Sequence, residues 1–180
     1  KADEGTRADV RHAGADDYLS KPFSDMELLS IVRNIFGLKK RERELQRDLE
    51  HARRIQQDLL PSSVPDLPGL DLVAIYHPME EVGGDLYDFV EFPDGRLGVF
   101  MADVSGHGIP AAMVAAAAKV ILSVCAGMIK SPAEFLQRVN EHLFGKTAGN
   151  FLTAWYGIIS ADRAKLTYAG AGHPPLILVR

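Results

Sequence analysis

Residues 80–108 read Glu80-Glu81-Val82-Gly83-Gly84-Asp85-Leu86-Tyr87-Asp88-Phe89-Val90-Glu91-Phe92-Pro93-Asp94-Gly95-Arg96-Leu97-Gly98-Val99-Phe100-Met101-Ala102-Asp103-Val104-Ser105-Gly106-His107-Gly108. Pro93-Asp94-Gly95 is a turn signal, because proline presets φ and glycine accepts a positive φ. The runs on either side have strand composition, so a three-residue loop predicts a β-hairpin. If Phe92 faces Arg96, counting outward from the loop puts Asp85 opposite Asp103 at the open end of the hairpin. Side chains directly opposed on antiparallel strands have Cβ atoms about 4.5–5.5 Å apart.

Two facing carboxylates without a cation repel each other, and one of them titrates high. Hard divalent cations such as Mg²⁺ or Mn²⁺ relieve that repulsion. Two such ions about 3.5–4 Å apart can share carboxylates and serve an in-line displacement at phosphorus. Gly83, Gly84, Gly106 and Gly108 permit close backbone approach at this edge. The plainer alternative is that Asp85 and Asp103 only terminate strands. Outward from the hairpin, Pro110 opens a helix over Ile109–Ala126, as proline in a first turn does, and its alanines predict a tightly packed core helix. Leu152–Ile159 reads as a core strand carrying Trp155 and Tyr156, and Leu176–Val179 as the start of a further strand. The single cysteine, Cys125, lies in an apolar run and reads as a buried, inert thiol that excludes an internal disulfide framework.

The region before the hairpin has a different texture. Residues 1–36 combine a polar helical stretch, a short strand at Asp17–Ser20 and an amphipathic helix. Ser24 or Asp25 caps that helix, with Glu27 in its first turn. Met26, Leu29, Val32, Ile35 and Phe36 form one apolar face. Lys39–Leu60 reads as a charged helix ended by Pro61. Leu38, Leu45, Ala52 and Leu59 recur at heptad spacing, with Leu49 and Ile55 widening the stripe. The companion seam is polar (Arg41 and Asp48, or Glu42 and Gln56). This predicts either a short coiled coil that would make a homodimer through residues 38–60 or a single amphipathic helix.

The 180-residue chain has 47% hydrophobic and 24% charged residues and a formal charge of −4. That balance disfavours a nucleic-acid partner, which normally meets a basic face, and with it a dinuclear nuclease. No segment reads as a membrane span of about 20 apolar residues, and the first residues do not resemble a secretory signal. A cytoplasmic protein is expected.

Val82-Gly83-Gly84-Asp85-Leu86-Tyr87-Asp88 and Asp103-Val104-Ser105-Gly106-His107-Gly108 resemble two motifs of the SpoIIE/RsbU-like branch of the PPM (type 2C) phosphatases. Ala52-Arg53-Arg54-Ile55-Gln56-Gln57-Asp58-Leu59-Leu60-Pro61 is similar to the helix entering that domain, and Tyr168-Ala169-Gly170-Ala171-Gly172-His173-Pro174-Pro175 to its later strand and loop. The resemblance covers residues 50–180. It implies a sandwich of two antiparallel sheets flanked by helices. It also implies two Mn²⁺ or Mg²⁺ ions held by Asp85, Asp103 and the Val104 carbonyl, and hydrolysis of a phosphoserine or phosphothreonine protein by metal-activated water. The substrate is often an anti-sigma-factor antagonist in this branch. Asp88 and His107 are candidates for the outer shell of the site. His173 is a loop-packing histidine or a general acid, and Glu81 a rim residue or one that orients water. The family's further metal-binding aspartates follow the Gly-His-Pro-Pro loop, so they are expected beyond Arg180.

Gly14-Ala15-Asp16-Asp17-Tyr18-Leu19-Ser20-Lys21-Pro22-Phe23 resembles the last strand of a response-regulator receiver. The resemblance implies that Lys21 contacts an acyl-phosphate, that the Lys21–Pro22 bond is cis and that a histidine kinase is the upstream partner. The receiver's acidic cluster and phospho-acceptor are expected before Lys1. The expected fold is therefore mixed α/β in three parts. Residues 1–37 form the end of a doubly wound receiver, 38–60 a helical linker, and 61–180 an incomplete α+β PPM-type phosphatase domain. A catalytically inactive PPM-like scaffold that binds a partner is the alternative function.

Overall fold

A computed structural model describes residues 15–78, 81–128 and 131–179. The chain divides into two compact units, residues 1–49 and 50–180. The polar helical stretch expected at the start of the chain, and Gly14, Glu80 and Arg180, lie outside the described residues.

In the first unit, the expected strand at Asp17–Ser20 is absent; the segment carries no ladder. A strand exists only through a neighbour's hydrogen bonds, and no described segment of this unit supplies them. The Lys21–Pro22 peptide is cis. Ser24 then caps helix α1, Asp25–Leu59, in a reciprocal capping box. The Glu27 amide donates to Ser24 Oγ at 3.2 Å, and the Ser24 amide donates to Glu27 Oε2 at 2.8 Å. The Ser24 hydrogen bonds hold the Glu27 carboxyl below its ordinary pKa.

Two successive helices were expected; α1 is one helix of 35 residues. A single interior glycine costs about 1 kcal/mol relative to alanine, which a helix of this length absorbs at Gly37. The face of Met26, Leu29, Val32 and Phe36, expected to be packed, is exposed. Lys39 Nζ meets Asp16 Oδ2 at 2.8 Å, both half-exposed, a pair worth at most about 1 kcal/mol. The helix ends at Leu59, ahead of Pro61.

The second unit is built on one antiparallel sheet in the order β1-β2-β3-β4. Its strands are β1 (Leu86–Glu91), β2 (Leu97–Val104), β3 (Leu152–Ile159) and β4 (Leu166–Ala171). The hairpin register is the one expected. Leu86 pairs with Ala102 and Glu91 with Leu97. The Phe92 amide donates to the Arg96 carbonyl at 3.0 Å, and Gly95 turns the loop at φ +84°.

Helices α2 (Gly108–Cys125) and α3 (Pro132–Leu143) cover one face of the sheet. The side chains of Phe100, Ala102, Val104, Ala154, Tyr156 and Ile158 point into this core. Ala111, Ala115 and Ala118 of α2 are buried there too, and their small side chains let the helix lie close to the sheet. Phe135 of α3 packs against Phe100 and Tyr156, with ring centroids 5.7 and 4.6 Å away. Such ring pairs add about 0.5–1.5 kcal/mol beyond burial. By length and composition α2 is long and apolar enough to cross a membrane, contrary to the expectation of no such segment, but five of its residues lie in this core.

The described residues contain one sheet, where the resemblance implies two. Leu176–Val179, expected to begin a further strand, carries no ladder; the nearest pairing is the isolated bridge of Gly172 to Ala154.

Asp88, on the helix-covered face of β1, is the one buried charged residue among those described. Its Oδ2 accepts from Lys119 Nζ of α2 and its Oδ1 from the Phe89 amide. Removing one partner of a buried ion pair leaves a charge uncompensated, at a cost of about 3–5 kcal/mol. Lys119→Met is therefore predicted to lower the unfolding free energy by about that amount in urea titrations, and Asp88→Asn combined with Lys119→Met to recover most of it.

Candidate metal and phosphoryl site

The helix-free face of the sheet carries the residues at odd positions of β1, β2 and β3. Continuing the hairpin register one residue past Leu86 and Ala102 places Asp85 opposite Asp103. The Val104 amide donates to the Gly84 carbonyl at 3.3 Å, which extends the ladder one further rung. Asp85 and Asp103 thus fall on a non-hydrogen-bonded rung, where facing side chains approach most closely. Burial, and then the Asp103 charge, push the Asp85 carboxyl above its ordinary pKa, while His173 pulls it down.

Thr153 faces Asp103 across the β2–β3 ladder. Its Oγ1 lies 3.3 Å from the Asp103 carbonyl, to which it donates, and 3.1 Å from His173 Nδ1. The rung Asp85–Asp103–Thr153, with His173 beside it, forms the candidate site. It opens onto a groove of about 580 Å³ between residues 72–77 and the β1–β2 face, with Asp85, Tyr87, Met101 and His173 among its lining residues.

Two close approaches fix the entrance to β1. A Cβ on Gly84 would lie 2.6 Å from the Val104 carbonyl oxygen, so only glycine fits there without moving backbone. Gln56 of α1 bonds both backbone groups of Gly83: its Nε2 donates to the carbonyl at 2.6 Å, and its Oε1 accepts from the amide at 3.0 Å. Tyr76 adds a long contact of 3.5 Å from its hydroxyl to the Asp85 carbonyl, and burial pushes its phenol pKa up.

The expected site residues are thus only partly brought together. Asp85 and Asp103 converge, and the Val104 carbonyl lies beside Gly84. Asp88 is turned to the opposite face and engaged by Lys119. His107 is the N-cap residue of α2, in extended backbone and making no side-chain capping bond. Lys21 belongs to the first unit. Thr153, Tyr76 and the Gln56 clamp were not singled out in the sequence, because their roles depend on pairings distant in the chain.

The donor set suits hard divalent cations: two carboxylates and a backbone carbonyl, all oxygen. Among the described residues no cluster of three or more His, Cys, Asp or Glu forms a ready-made metal site.

Residues 93–180 match the family model described as Stage II sporulation protein E (SpoIIE). Over that stretch, just under half of its length, the chain is similar to the SpoIIE family. The chain is 33% identical over 135 residues to phosphoserine phosphatase RsbU of Bacillus subtilis (strain 168), a match covering 74% of this chain and 40% of RsbU. It is 29% identical over 136 residues to phosphoserine phosphatase RsbP of the same organism, covering 73% of this chain and 34% of RsbP. The chain therefore spans about two fifths and one third of those relatives. The solved SiaA-PP2C domain of Pseudomonas aeruginosa superposes with a TM-score of 0.58 at 21% identity, covering 72% of this chain and 55% of that one. The chain accordingly carries part of a PP2C-like fold.

The Asp85–Asp103 repulsion has a measurable consequence in metal-free protein. Asp85 has a raised folded-state pKa, so its contribution favours folding below the unfolded pKa and is lost as pH rises through the folded value. Asp103→Asn removes the like charge. It is predicted to stabilise the metal-free protein at pH 7 by less than about 1 kcal/mol, since the site is open to solvent. The gain should vanish below about pH 3, where carboxylates are protonated; urea titrations at the two pH values check it.

Proposed function

We propose that the chain is the phosphatase output of a bacterial two-component response regulator. In this reading it is a cytoplasmic PPM-type protein phosphatase that hydrolyses phosphoserine or phosphothreonine on a partner such as an anti-sigma-factor antagonist. The observation that carries the reading is the pair of carboxylates held face to face at Asp85 and Asp103. The match to the SpoIIE family model and the similarity to two phosphoserine phosphatases support it. The two-component part rests on the receiver-like segment ending Lys21-Pro22-Phe23, in which Lys21 would contact an acyl-phosphate set up by a histidine kinase.

Asp85 and Asp103 would hold two Mn²⁺ or Mg²⁺ ions, with the Val104 carbonyl as a further ligand. When bound, the ions supply a water of lowered pKa and neutralise charge on the phosphoryl group. The chain's own residues set the geometry. The hairpin register fixes the spacing of the carboxylates. Gly84 keeps the Val104 carbonyl accessible by having no side chain. Thr153 orients His173, whose positive charge when protonated favours the ionised form of Asp85. The overall reaction breaks the phosphorus–oxygen bond to the seryl or threonyl oxygen, forms a phosphorus–oxygen bond to water, and returns the hydroxyl side chain and inorganic phosphate. A homodimer formed through residues 38–60 would join two such chains.

Hydrolysis of a phosphoserine peptide by the full-length protein should require Mn²⁺ or Mg²⁺. Asp103→Asn should lower it at least about 100-fold, since even outer-shell changes cost 10–100-fold at metal sites. Equal rates in the parent and Asp103→Asn would refute the assignment and favour the partner-binding scaffold.

A further inference from the structure

We infer that Gln56 is a positioning residue for the acid pair, an inference that rests on the proposed phosphatase reading. Gln56 lies near the C-terminal end of α1, half-buried. Its side-chain amide meets Gly83 as a neighbouring strand would, donating to the carbonyl at 2.6 Å and accepting from the amide at 3.0 Å. Glutamine is suited to this, because one planar group offers both a donor and an acceptor.

The next residue, Gly84, is held from the other side by the Val104 amide and by a contact that leaves no room for a Cβ. The two-residue entrance to Asp85 is therefore gripped on one side by a side chain and on the other by β2. Asp85 itself precedes β1, and beyond it the ladder is closed only by the 3.3 Å bond from the Val104 amide to the Gly84 carbonyl. A site that works through two carboxylates tolerates displacements of only about 0.5 Å. Gln56 adds a second constraint at this end of the ladder.

Loss of the clamp leaves two polar groups of a partly exposed residue to water, so it should scarcely affect global stability. It should instead loosen Asp85 and weaken cation binding by about 10–100-fold, as outer-shell changes do. The test is calorimetric titration of the full-length protein with Mn²⁺, comparing the parent, Gln56→Met, Gln56→Glu, Asp103→Asn and the neighbouring exposed Gln57→Met. Methionine keeps the length and helix propensity of glutamine without its bonds; glutamate keeps the acceptor and loses the donor.

The expected result is Mn²⁺ affinity at least about 10-fold lower in both Gln56 variants, unchanged in Gln57→Met, with melting temperatures close to the parent. The Mn²⁺ concentration that half-activates hydrolysis should rise by the same factor in the Gln56 variants. Parent-like Mn²⁺ affinity in both Gln56 variants, with Asp103→Asn impaired, would overturn the positioning role alone. A parent protein that binds Mn²⁺ no better than Asp103→Asn would overturn the role together with the phosphatase reading.

Discussion

Two like charges held opposite each other are the constraint on which the second unit turns. Asp85 and Asp103 repel, and the sheet nevertheless keeps them on one rung because the Pro93-Asp94-Gly95 loop fixes the register. A slip of one residue would turn one partner's side chains onto the helix-covered face, where Phe100, Ala102 and Val104 already fill the space against α2 and α3. The aromatic and alanine packing of that core thus enforces an electrostatically unfavourable pairing on the other face. Folding energy is spent on a local cost that a bound cation would remove, the pattern expected where structure serves chemistry rather than stability.

The two faces divide their acidic residues accordingly. Asp88 is buried and has a cation of its own in Lys119, so its charge is settled within the fold. Asp85 is exposed, has Asp103 for a neighbour, and receives only the partial relief of His173. Three residues apart, one just ahead of β1 and one on it, they sit in opposite electrostatic situations because the alternation of extended backbone sends them to opposite faces. The unresolved charge lies at the rim of a groove, accessible to ligands from solvent.

The hairpin was legible because its information is local. Turn residues and alternating apolar positions fixed both the strands and the pairing of Asp85 with Asp103. Pro61 and Pro110 marked helix ends by the same local chemistry, and Trp155 and Tyr156 fell in the expected core strand. Readings that need a distant partner failed or were missed. Asp17–Ser20 has strand composition but no ladder partner among the described residues. Two helices were read where one runs, because the helix formers on both sides of Gly37 carry it through. Lys119 appeared as one charge in an apolar helix, with nothing in the local pattern to point to Asp88. Gln56 lay in the recognised Ile55-Gln56-Gln57 stretch, yet its engagement with Gly83 is made across 27 positions of sequence. Thr153 joins the acid rung only through the pairing of β2 with β3, which no turn connects.

The central claim is that the opposed carboxylates are a cation site. Crystals of the full-length protein grown with Mn²⁺, measured at the manganese absorption edge, test it most directly. The account predicts anomalous density between Asp85 and Asp103, with carboxylate oxygens at about 2.1 Å as hard octahedral cations require. Anomalous density confined to other places, with both carboxylates left bare, would contradict it.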